Sequence, residues 1–479
     1  MAQFRLVRPT YAERFRCIGS ACEDTCCSGW SVPVDQQTYE KYRQLPPGPL
    51  RSLIDVTVIG PAPDTEAPPV ATFAKIQMSD GNRCPMLLQN GLCRIQSEVG
   101  ESFLSHVCAT YPRTLHFIDR VPEKSLSLSC PEAARLVLLD PELFAADLSQ
   151  QDEDETGRLS QNSAGEFSPD GGAVPAAPVM ADQGASEGEK PTVPTNHSSR
   201  TTGTPLLLSN FWAIRATVLS LVRNRDNPLW QRLFLLGILC RRLDAIAKGE
   251  LHRGVSEFLQ DFEATVATGA LKVAMEALPL DRTSQLDVVL RLAGSMLHRS
   301  NVRPRFVECI HAFTAGIGNG PGSTIESLTA HYAYAHDRFY APFMDRNPHI
   351  LENYLVNTIL RCNFPFGKEA RQQATEFSMA REFALLTAQF ALMKGLLIGV
   401  AGFHGERFGA VEVVHTFQAA AKHFEHHPEF LKQAHALLVE SQMDGARGLG
   451  ILLRNTEPVG PRPTAPEVQV PAQQGGGAR

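Results

Sequence analysis

The chain has 479 residues, of which 43% are hydrophobic, a proportion ordinary for a soluble globular protein. That length exceeds what one hydrophobic core usually organises, so two domains are expected. The formal net charge of -6 and the pI near 6.2 give no electrostatic reason to expect nucleic acid or an anionic membrane as a partner, which leaves a protein or a small molecule.

The N-terminal segment MAQFRLVRPTYAERF has no apolar run of the length that a secretion signal requires. The sequence therefore predicts a cytoplasmic protein. In that reducing compartment disulfides are disfavoured, so cysteines are expected as thiols or metal ligands.

Residues 1–145 are mixed in pattern and loop-rich, with helices predicted over residues 36–44 and 95–105. Eight of the eleven cysteines of the chain fall in this part. They are Cys17, Cys22, Cys26, Cys27, Cys84, Cys93, Cys108 and Cys130. The first four form the pattern C-x4-C-x3-C-C, which lets thiolates of one loop reach a common centre while the later cysteines complete its ligand shell. The sequence predicts a cysteine-ligated metal-binding domain.

The spacing of these cysteines indicates which type of metal centre they bind. A structural zinc site usually has two C-x2-C-like pairs, and the adjacent Cys26 and Cys27 cannot easily both point at one tetrahedral ion. Irregular spacing favours an iron-sulfur cluster, with zinc as the alternative. Eight thiols exceed the four that one cubane cluster needs, so some are structural or belong to a second site, and the sequence does not say which four are ligands. Trp30 is expected to pack over the cysteine loop and exclude water.

Residues 146–205 change in composition to Ser, Gly, Pro, Asp, Glu and Thr, with ten acidic against three basic residues. Such a segment buries too little apolar surface to offset the entropy of ordering it, so we predict a disordered insertion. The segment 456–479 contains five prolines and ends in QQGGGAR, which predicts a disordered tail.

Residues 206–455 carry apolar side chains at helical spacing and no alternating strand pattern, which predicts a helical domain. The whole chain is thus expected to be mainly α. The most apolar stretch, residues 383–403, contains Lys394 in mid-span and is interpreted as a buried core helix and not a membrane span. Cys240, Cys309 and Cys362 are expected to pack in the core of this domain.

Four blocks of this sequence resemble the flagellin lysine N-methylases, the FliB-like proteins. The first is FRCIGSACEDTCCSGWSVPVD followed by TYEKY, and the second covers residues 83–113 from RCPML to CATYPR. The third, SLSCPEAARLVL, surrounds Cys130, and the fourth, HILENYLVNTILRCNFPF, covers residues 349–366. The shorter pattern CCSGW, CPML, GLCRI and CATYP is also similar to the wider YkgJ-like group of zinc- or iron-chelating proteins.

The closer resemblance implies an S-adenosylmethionine-dependent protein-lysine N-methyltransferase that holds a four-iron cluster in its N-terminal cysteines and acts on flagellin. The glycine-rich segment at residues 316–322 follows no strand pattern, so it is interpreted as a loop between helices and the donor pocket is not located. Residues that could activate a lysine are Tyr111, Asp337, Tyr340, Glu352 and Tyr354, and none is assigned a catalytic role.

Two other functions compete with this one. The first is a metal-chelating binding module without turnover, of the YkgJ-like kind, which the missing glycine-rich donor motif favours. The second is electron transfer or redox sensing by the cluster.

Overall fold

The computed structural model describes residues 10–61, 72–119, 121–144, 204–297, 302–367, 377–425 and 428–454. Nearly all of the predicted insertion 146–205 and all of the predicted tail 456–479 lie outside these ranges, so their disorder stays a prediction. The fold is mainly α with a loop-rich N-terminal part, as the sequence predicts.

The N-terminal part, here called the cysteine unit (residues 10–126), contains short elements joined by long loops. Its helices are α1 (Gln36–Arg43), α2 (Pro49–Thr57), α3 (Arg94–Val99) and α4 (His106–Thr110). Its strands are β1 (Val32–Val34), β2 (Val58–Ile59), β3 (Ala74–Ile76), β4 (Arg113–Ile118) and β5 (Val121–Leu126). β1 and β2 flank β3 in a three-stranded antiparallel sheet, and β4 and β5 form a separate hairpin.

The predicted helix over residues 36–44 is confirmed as α1, whose first turn is capped by Asp35: its side chain accepts a 2.8 Å hydrogen bond from the Thr38 amide. The helix predicted over residues 95–105 is too long. α3 ends at Val99 because Gly100 takes a φ of 93°, outside the helical range, and a separate 3₁₀ turn follows at Glu101–Phe103.

The remaining helices form one bundle. They are α5 (Pro131–Leu139), α6 (Thr204–Leu208), α7 (Phe211–Arg223), α8 (Leu229–Ala247), α9 (Val255–Ala267), α10 (Lys272–Glu276), α11 (Arg282–Leu297), α12 (Pro304–Gly316), α13 (Ile325–Ala335), α14 (Ala341–Arg346), α15 (His349–Cys362), α16 (Met379–His404), α17 (Ala410–Phe424), α18 (Pro428–Glu440) and α19 (Ala446–Leu453). A π-helical turn, His336–Tyr340, joins α13 to α14. The described part of residues 206–455 contains no strand, in agreement with the prediction.

The central helix of the bundle is α16, which contains the most apolar stretch of the sequence. It packs on α8, α11, α12, α13 and α17, so apolar residues are needed on every side of it. At its crossing with α12, a side chain on Gly316 would collide with the Gly399 carbonyl, so glycine permits the close approach. In the described part of the chain, α16 is the one helix long and apolar enough to cross a membrane, and its apolar window is wholly buried in the protein. The prediction of a core helix is confirmed.

The buried apolar residues form two clusters. The smaller one lies within the cysteine unit, between Val32 and Ile95, and contains the three-stranded sheet. The larger one fills the helical bundle and also includes Tyr11, Phe15 and Leu126. The start of the cysteine unit and the end of its hairpin therefore pack into the core of the helical bundle, which fixes the two parts against each other.

Candidate cysteine site and the adjoining cleft

The loop that carries Cys26 and Cys27 turns back on itself just before β1. Gly29 has a φ of 84°, a conformation that side-chain-bearing residues rarely adopt, and its amide donates to the Asn82 carbonyl. The Trp30 indole donates a 2.7 Å hydrogen bond to the Cys26 carbonyl and stacks on Tyr111, with 6.3 Å between ring centroids. Trp30 therefore packs over the cysteine loop, as expected from its position in the sequence.

Five of the eight predicted ligand cysteines line one small cavity of about 70 Å³ inside the cysteine unit. They come from three segments: the loop before β1, the segment that leads into α3, and α4. The five are Cys26, Cys27, Cys84, Cys93 and Cys108, and apolar side chains such as Val32 and Met86 complete the lining. This cavity is called the cysteine chamber below. It gathers soft sulfur donors with little competing polar surface.

The other three predicted ligands, Cys17, Cys22 and Cys130, do not line the cysteine chamber. Cys17 is exposed, and Cys130 is the buried residue that precedes α5. Among the described residues, no group of three or more His, Cys, Asp or Glu side chains is placed so that it could hold a metal ion. The thiols surround the chamber and do not converge on one point. Every cysteine of the chain is free.

The thiols of the chamber differ in their tendency to ionise. The Sγ atoms of Cys26 and Cys27 lie 4.0 Å apart, and their hydrogen bond lowers the pKa of Cys26 and raises that of Cys27. The Lys422 ammonium also lowers the pKa of Cys26, and burial also raises that of Cys27. Burial raises the pKa of Cys84 to about 11 and that of Cys108 to about 12. Cys26 is therefore the thiol of the chamber that most readily becomes a thiolate.

A much larger cleft, of about 1600 Å³, lies between the cysteine unit and the helical bundle. Its walls come from the cysteine loop on one side and from α12, α15, α16 and α17 on the other. Trp30 lines both this cleft and the cysteine chamber, so its side chain forms part of the wall between them. The cleft has the concave shape and the mixture of apolar and charged lining that ligand sites usually have.

The cysteine loop is tied to the helical bundle by charged side chains. Lys422 of α17 donates hydrogen bonds of 2.7 Å to the Asp24 carboxylate and 2.6 Å to the Thr25 carbonyl. Gln418, one turn earlier, also donates to Asp24. Burial would raise the pKa of Asp24, but Lys422 outweighs this effect and the pKa is lowered. An ion pair this buried holds its geometry, so α17 positions the loop that carries Cys26 and Cys27.

The same loop is held from a second side by Arg303, the residue before α12. Its guanidinium donates to the Ser28 hydroxyl at 3.1 Å and to the Ser28 carbonyl at 2.8 Å. A Cβ atom on Gly29 would lie 1.3 Å from the Arg303 Nη2 atom, so only glycine leaves room for the guanidinium. Gly29 of the CCSGW motif is thus explained by its left-handed backbone and by Arg303.

The side chains considered for lysine activation have other partners. Asp337 pairs with Arg282 at 2.8 Å, and Glu352 is buried between Arg225 and Arg232. Tyr340 and Tyr354 are buried among the bundle helices. Tyr111 lines the cysteine chamber, where burial raises its pKa. None of the five lines the cleft, so the structure adds no reason to assign them a catalytic role.

The three cysteines outside the N-terminal part do not all pack in the core. Cys240 and Cys309 are buried, as predicted. Cys362 is half-buried and lines the cleft, so its predicted core position is wrong. The reason is that α15 ends at this residue, where the chain leaves the bundle core.

Sequence reasoning missed the residues that join the two parts of the site. Asp24 and Lys422 are 398 positions apart, and Ser28 and Arg303 are 275 apart. No local sequence pattern identifies such pairs, because Asp, Lys, Ser and Arg are all residue types that are common on protein surfaces. The glycine in CCSGW was the one available signal that a neighbour comes close to the loop.

Comparison with known proteins points to one family. The model of the FliB lysine N-methylase C-terminal domain matches residues 215–452. The lysine-N-methylase of Salmonella typhimurium is 34% identical over 146 residues, which cover 30% of this chain and 35% of that protein. The flagellar biosynthetic protein FliU of Salmonella muenchen is 32% identical over 146 residues, 30% of this chain and 83% of FliU. The match thus spans about a third of the lysine-N-methylase. No solved structure matches.

Proposed function

The chain belongs to the FliB lysine N-methylase family, and from this premise we propose that it is a protein-lysine N-methyltransferase that uses S-adenosylmethionine as methyl donor and flagellin as its protein substrate. We propose the cytoplasm as its place of action, where thiols stay reduced. The observation that carries the proposal is the cleft, because helices of the family-matched region form one wall of it and the cysteine loop forms the other.

The transfer needs an uncharged acceptor amine. An exposed lysine is protonated at neutral pH, so its ammonium must lose a proton before the nitrogen can bond to the methyl carbon. The sulfur of the donor then keeps the electron pair of the broken carbon-sulfur bond. Glu382 and Glu425 place carboxylates in the lining of the cleft, where Glu425 already pairs with Arg361. Enclosure between two walls also excludes water, which lowers the cost of neutralising the amine.

We propose that the cysteine chamber holds a four-iron cluster. Its five thiols exceed the four that such a cluster needs, and cysteine sulfur is the donor that iron-sulfur centres select. The five thiols come from three segments around one cavity, and their irregular spacing in the sequence favours an iron-sulfur cluster over one zinc. A bound cluster would supply a rigid charged centre behind Trp30.

The cluster is tested by metal analysis of the anaerobically purified full-length protein. We expect iron and acid-labile sulfide in the wild type, and loss of both in Cys26→Ser and Cys93→Ser. Cys17→Ser is the matched control, because Cys17 lies outside the chamber, and it should retain the cluster. Stoichiometric zinc without iron after reconstitution would refute the cluster.

The activity is tested by incubating holo-protein with S-adenosylmethionine and flagellin from the same source, then mapping methylated lysines by mass spectrometry. We expect methylation by the wild type and its loss in Cys93→Ser. If Cys93→Ser methylates flagellin as well as the wild type does, the proposed methyltransferase activity stands and its dependence on the metal is refuted.

The alternative is a metal-chelating binding module without turnover. It is favoured by the glycine-rich segment of residues 316–322, which joins the helices α12 and α13 and so lacks the strand-to-helix turn of nucleotide-type donor sites. Absence of methylation by fully loaded protein would support this second function.

A further inference from the structure

The cleft has a basic wall beside the cysteine loop. Arg303, Arg305 and Lys422 line it there, together with the carboxylates of Glu23 and Asp24. Both carboxylates are already neutralised, since Glu23 pairs with Arg135 at 2.7 Å and Asp24 pairs with Lys422. A surplus of positive charge remains on this wall even though the whole chain is acidic.

Two arginines from the helical bundle side carry part of this surplus charge. Arg305 donates to the neutral Gln418 side chain, and Arg303 donates to Ser28. Within the part of the chain that the structure describes, neither guanidinium has a carboxylate within ion-pair distance. Burial lowers the pKa of Arg303, but an arginine stays charged at any physiological pH. Arg303 is therefore a half-buried cation, and the nearby Asp24 carboxylate lies beyond ion-pair distance from it and is paired with Lys422.

The position of Arg303 is built into the fold. Its guanidinium lies over Gly29, where any other residue would occupy its place, and two of its five N–H donors are used by Ser28. The α12 helix begins at the next residue, so its N-terminal dipole adds to the positive potential at the same point. Arginine binds carboxylates through paired N–H donors, which an ammonium group cannot present.

The surroundings favour a small ligand. The wall is concave, and the aromatic side chains Trp30, Phe306 and Phe424 also line the cleft. Such a mixture of aromatic faces with a few fixed charges is typical of small-molecule sites.

We propose that Arg303, seated over Gly29 and assisted by Arg305, binds the carboxylate of a small molecule in the cleft, and that this molecule is the methyl donor, held by its amino-acid end. The inference rests on the proposed function for the identity of the ligand. It assigns the carboxylate to side chains of this chain, independently of any metal.

The test compares S-adenosylmethionine with decarboxylated S-adenosylmethionine, which lacks only the carboxylate. Binding of both to the full-length protein is measured by isothermal titration calorimetry for the wild type, Arg303→Gln and Arg303→Lys. The control is Arg338→Gln, which removes an exposed arginine that pairs with Glu406 outside the cleft.

We expect the wild type and Arg338→Gln to bind S-adenosylmethionine about tenfold to a hundredfold more tightly than the decarboxylated form. Arg303→Gln should lose this preference while binding the decarboxylated form as the wild type does, and Arg303→Lys should keep part of it. Cluster-free Cys93→Ser protein should keep the preference, because the carboxylate is bound by arginine and not by iron.

Each other outcome is informative. If Arg303→Gln still prefers S-adenosylmethionine to the decarboxylated form, the inference is overturned. That result is expected if the basic wall instead binds an acidic polypeptide segment such as residues 146–205. Equal loss of affinity for both ligands also overturns it, because Arg303 would then act only through folding. No binding of S-adenosylmethionine by the wild type overturns the donor in the proposed function as well, so the two failures are distinguishable.

Discussion

At the scale of single residues, Gly29 shows how one position joins the two halves of the site. Its backbone needs a left-handed φ of 84°, and its missing side chain leaves room for Arg303. Gly91 has nearly the same φ, 81°, but nothing lies within 4 Å of a Cβ atom placed there. Comparing substitutions at Gly29 and Gly91 therefore separates the cost of backbone strain from the cost of a steric clash with Arg303.

We predict that Gly29→Ala lowers the free energy of unfolding by about 2–3 kcal/mol and Gly91→Ala by about 1 kcal/mol. The difference is the loss of the Arg303 hydrogen bonds to Ser28, since a methyl group at position 29 displaces the guanidinium. Urea titrations of both variants and the wild type measure it. Equal costs at the two glycines would show that Arg303 moves aside freely.

A second residue, Lys394, carries a titratable amine in the middle of the core helix α16. Burial, with the nearby Arg282, lowers the pKa of Lys394 to about 7, and its Nζ donates a 2.9 Å hydrogen bond to the Leu452 carbonyl. In the unfolded chain a lysine titrates near pH 10.4. Between these two values the unfolded state binds one more proton than the folded state, so this group adds stability as the pH rises.

We predict that the wild type gains roughly 3 kcal/mol of unfolding free energy relative to Lys394→Met between pH 7 and 9.5. Chemical denaturation of both proteins at several pH values measures the difference between their unfolding free energies. Titration of the groups that the two proteins share cancels in this difference. Parallel pH profiles would mean that Lys394 keeps its ordinary pKa in the fold.

At the scale of elements, α15 holds the hairpin of the cysteine unit to the helical bundle through one buried amide. The Oδ1 atom of Asn357 accepts from the Tyr11 hydroxyl at 2.5 Å and from the Leu126 amide at 3.2 Å. Its Nδ2 atom donates to the Leu126 carbonyl at 2.9 Å. The side chain is fully buried, so no water can replace these bonds.

We predict that Asn357→Leu, a change of similar volume, lowers the free energy of unfolding by about 3–5 kcal/mol, because it removes three buried hydrogen bonds. Asn319→Leu, at an exposed loop position, is the matched control and should change it by less than about 0.5 kcal/mol. Guanidinium titrations of both variants measure these changes. A small effect of Asn357→Leu would indicate that other contacts hold the hairpin to the bundle.

At the scale of the whole molecule, the cleft exists because two separately patterned parts of the chain pack together. Residues 10–15 and 126–144 contribute Tyr11, Phe15 and Leu126 to the bundle core, while the three-stranded sheet keeps a core of its own. The ion pair of Lys422 with Asp24 also joins the two parts beside the cysteine loop. The cysteine chamber is thus supported by helices far away in sequence.

We predict that replacing residues 150–200 by a short flexible bridge leaves iron content unchanged and the melting temperature within about 2 °C of the wild type. The reason is compositional, since this acidic segment has a single aromatic residue and contributes little to any core. Metal analysis and calorimetry of the deletion variant test it, and a large fall in iron content would make the segment part of the structure.

What the sequence by itself determined is what depends on local pattern. The helical character of residues 206–455, the burial of α16 and the first helix follow from periodicity and capping residues, which act over a few positions. The clustering of cysteines predicted a metal site in the N-terminal part, where five of them line one chamber. The hairpin was not predicted, since it is stabilised by contact with α15, which is distant in sequence.

Only the tertiary structure decided which five of the eight cysteines share a chamber, that Cys362 faces a cleft, and that Arg303 and Lys422 hold the cysteine loop. These facts depend on contacts between residues hundreds of positions apart. A side chain's type limits what it can bind, but its partner is set by the packing of the apolar cores, which brings distant segments together and leaves a few charged groups at their boundary.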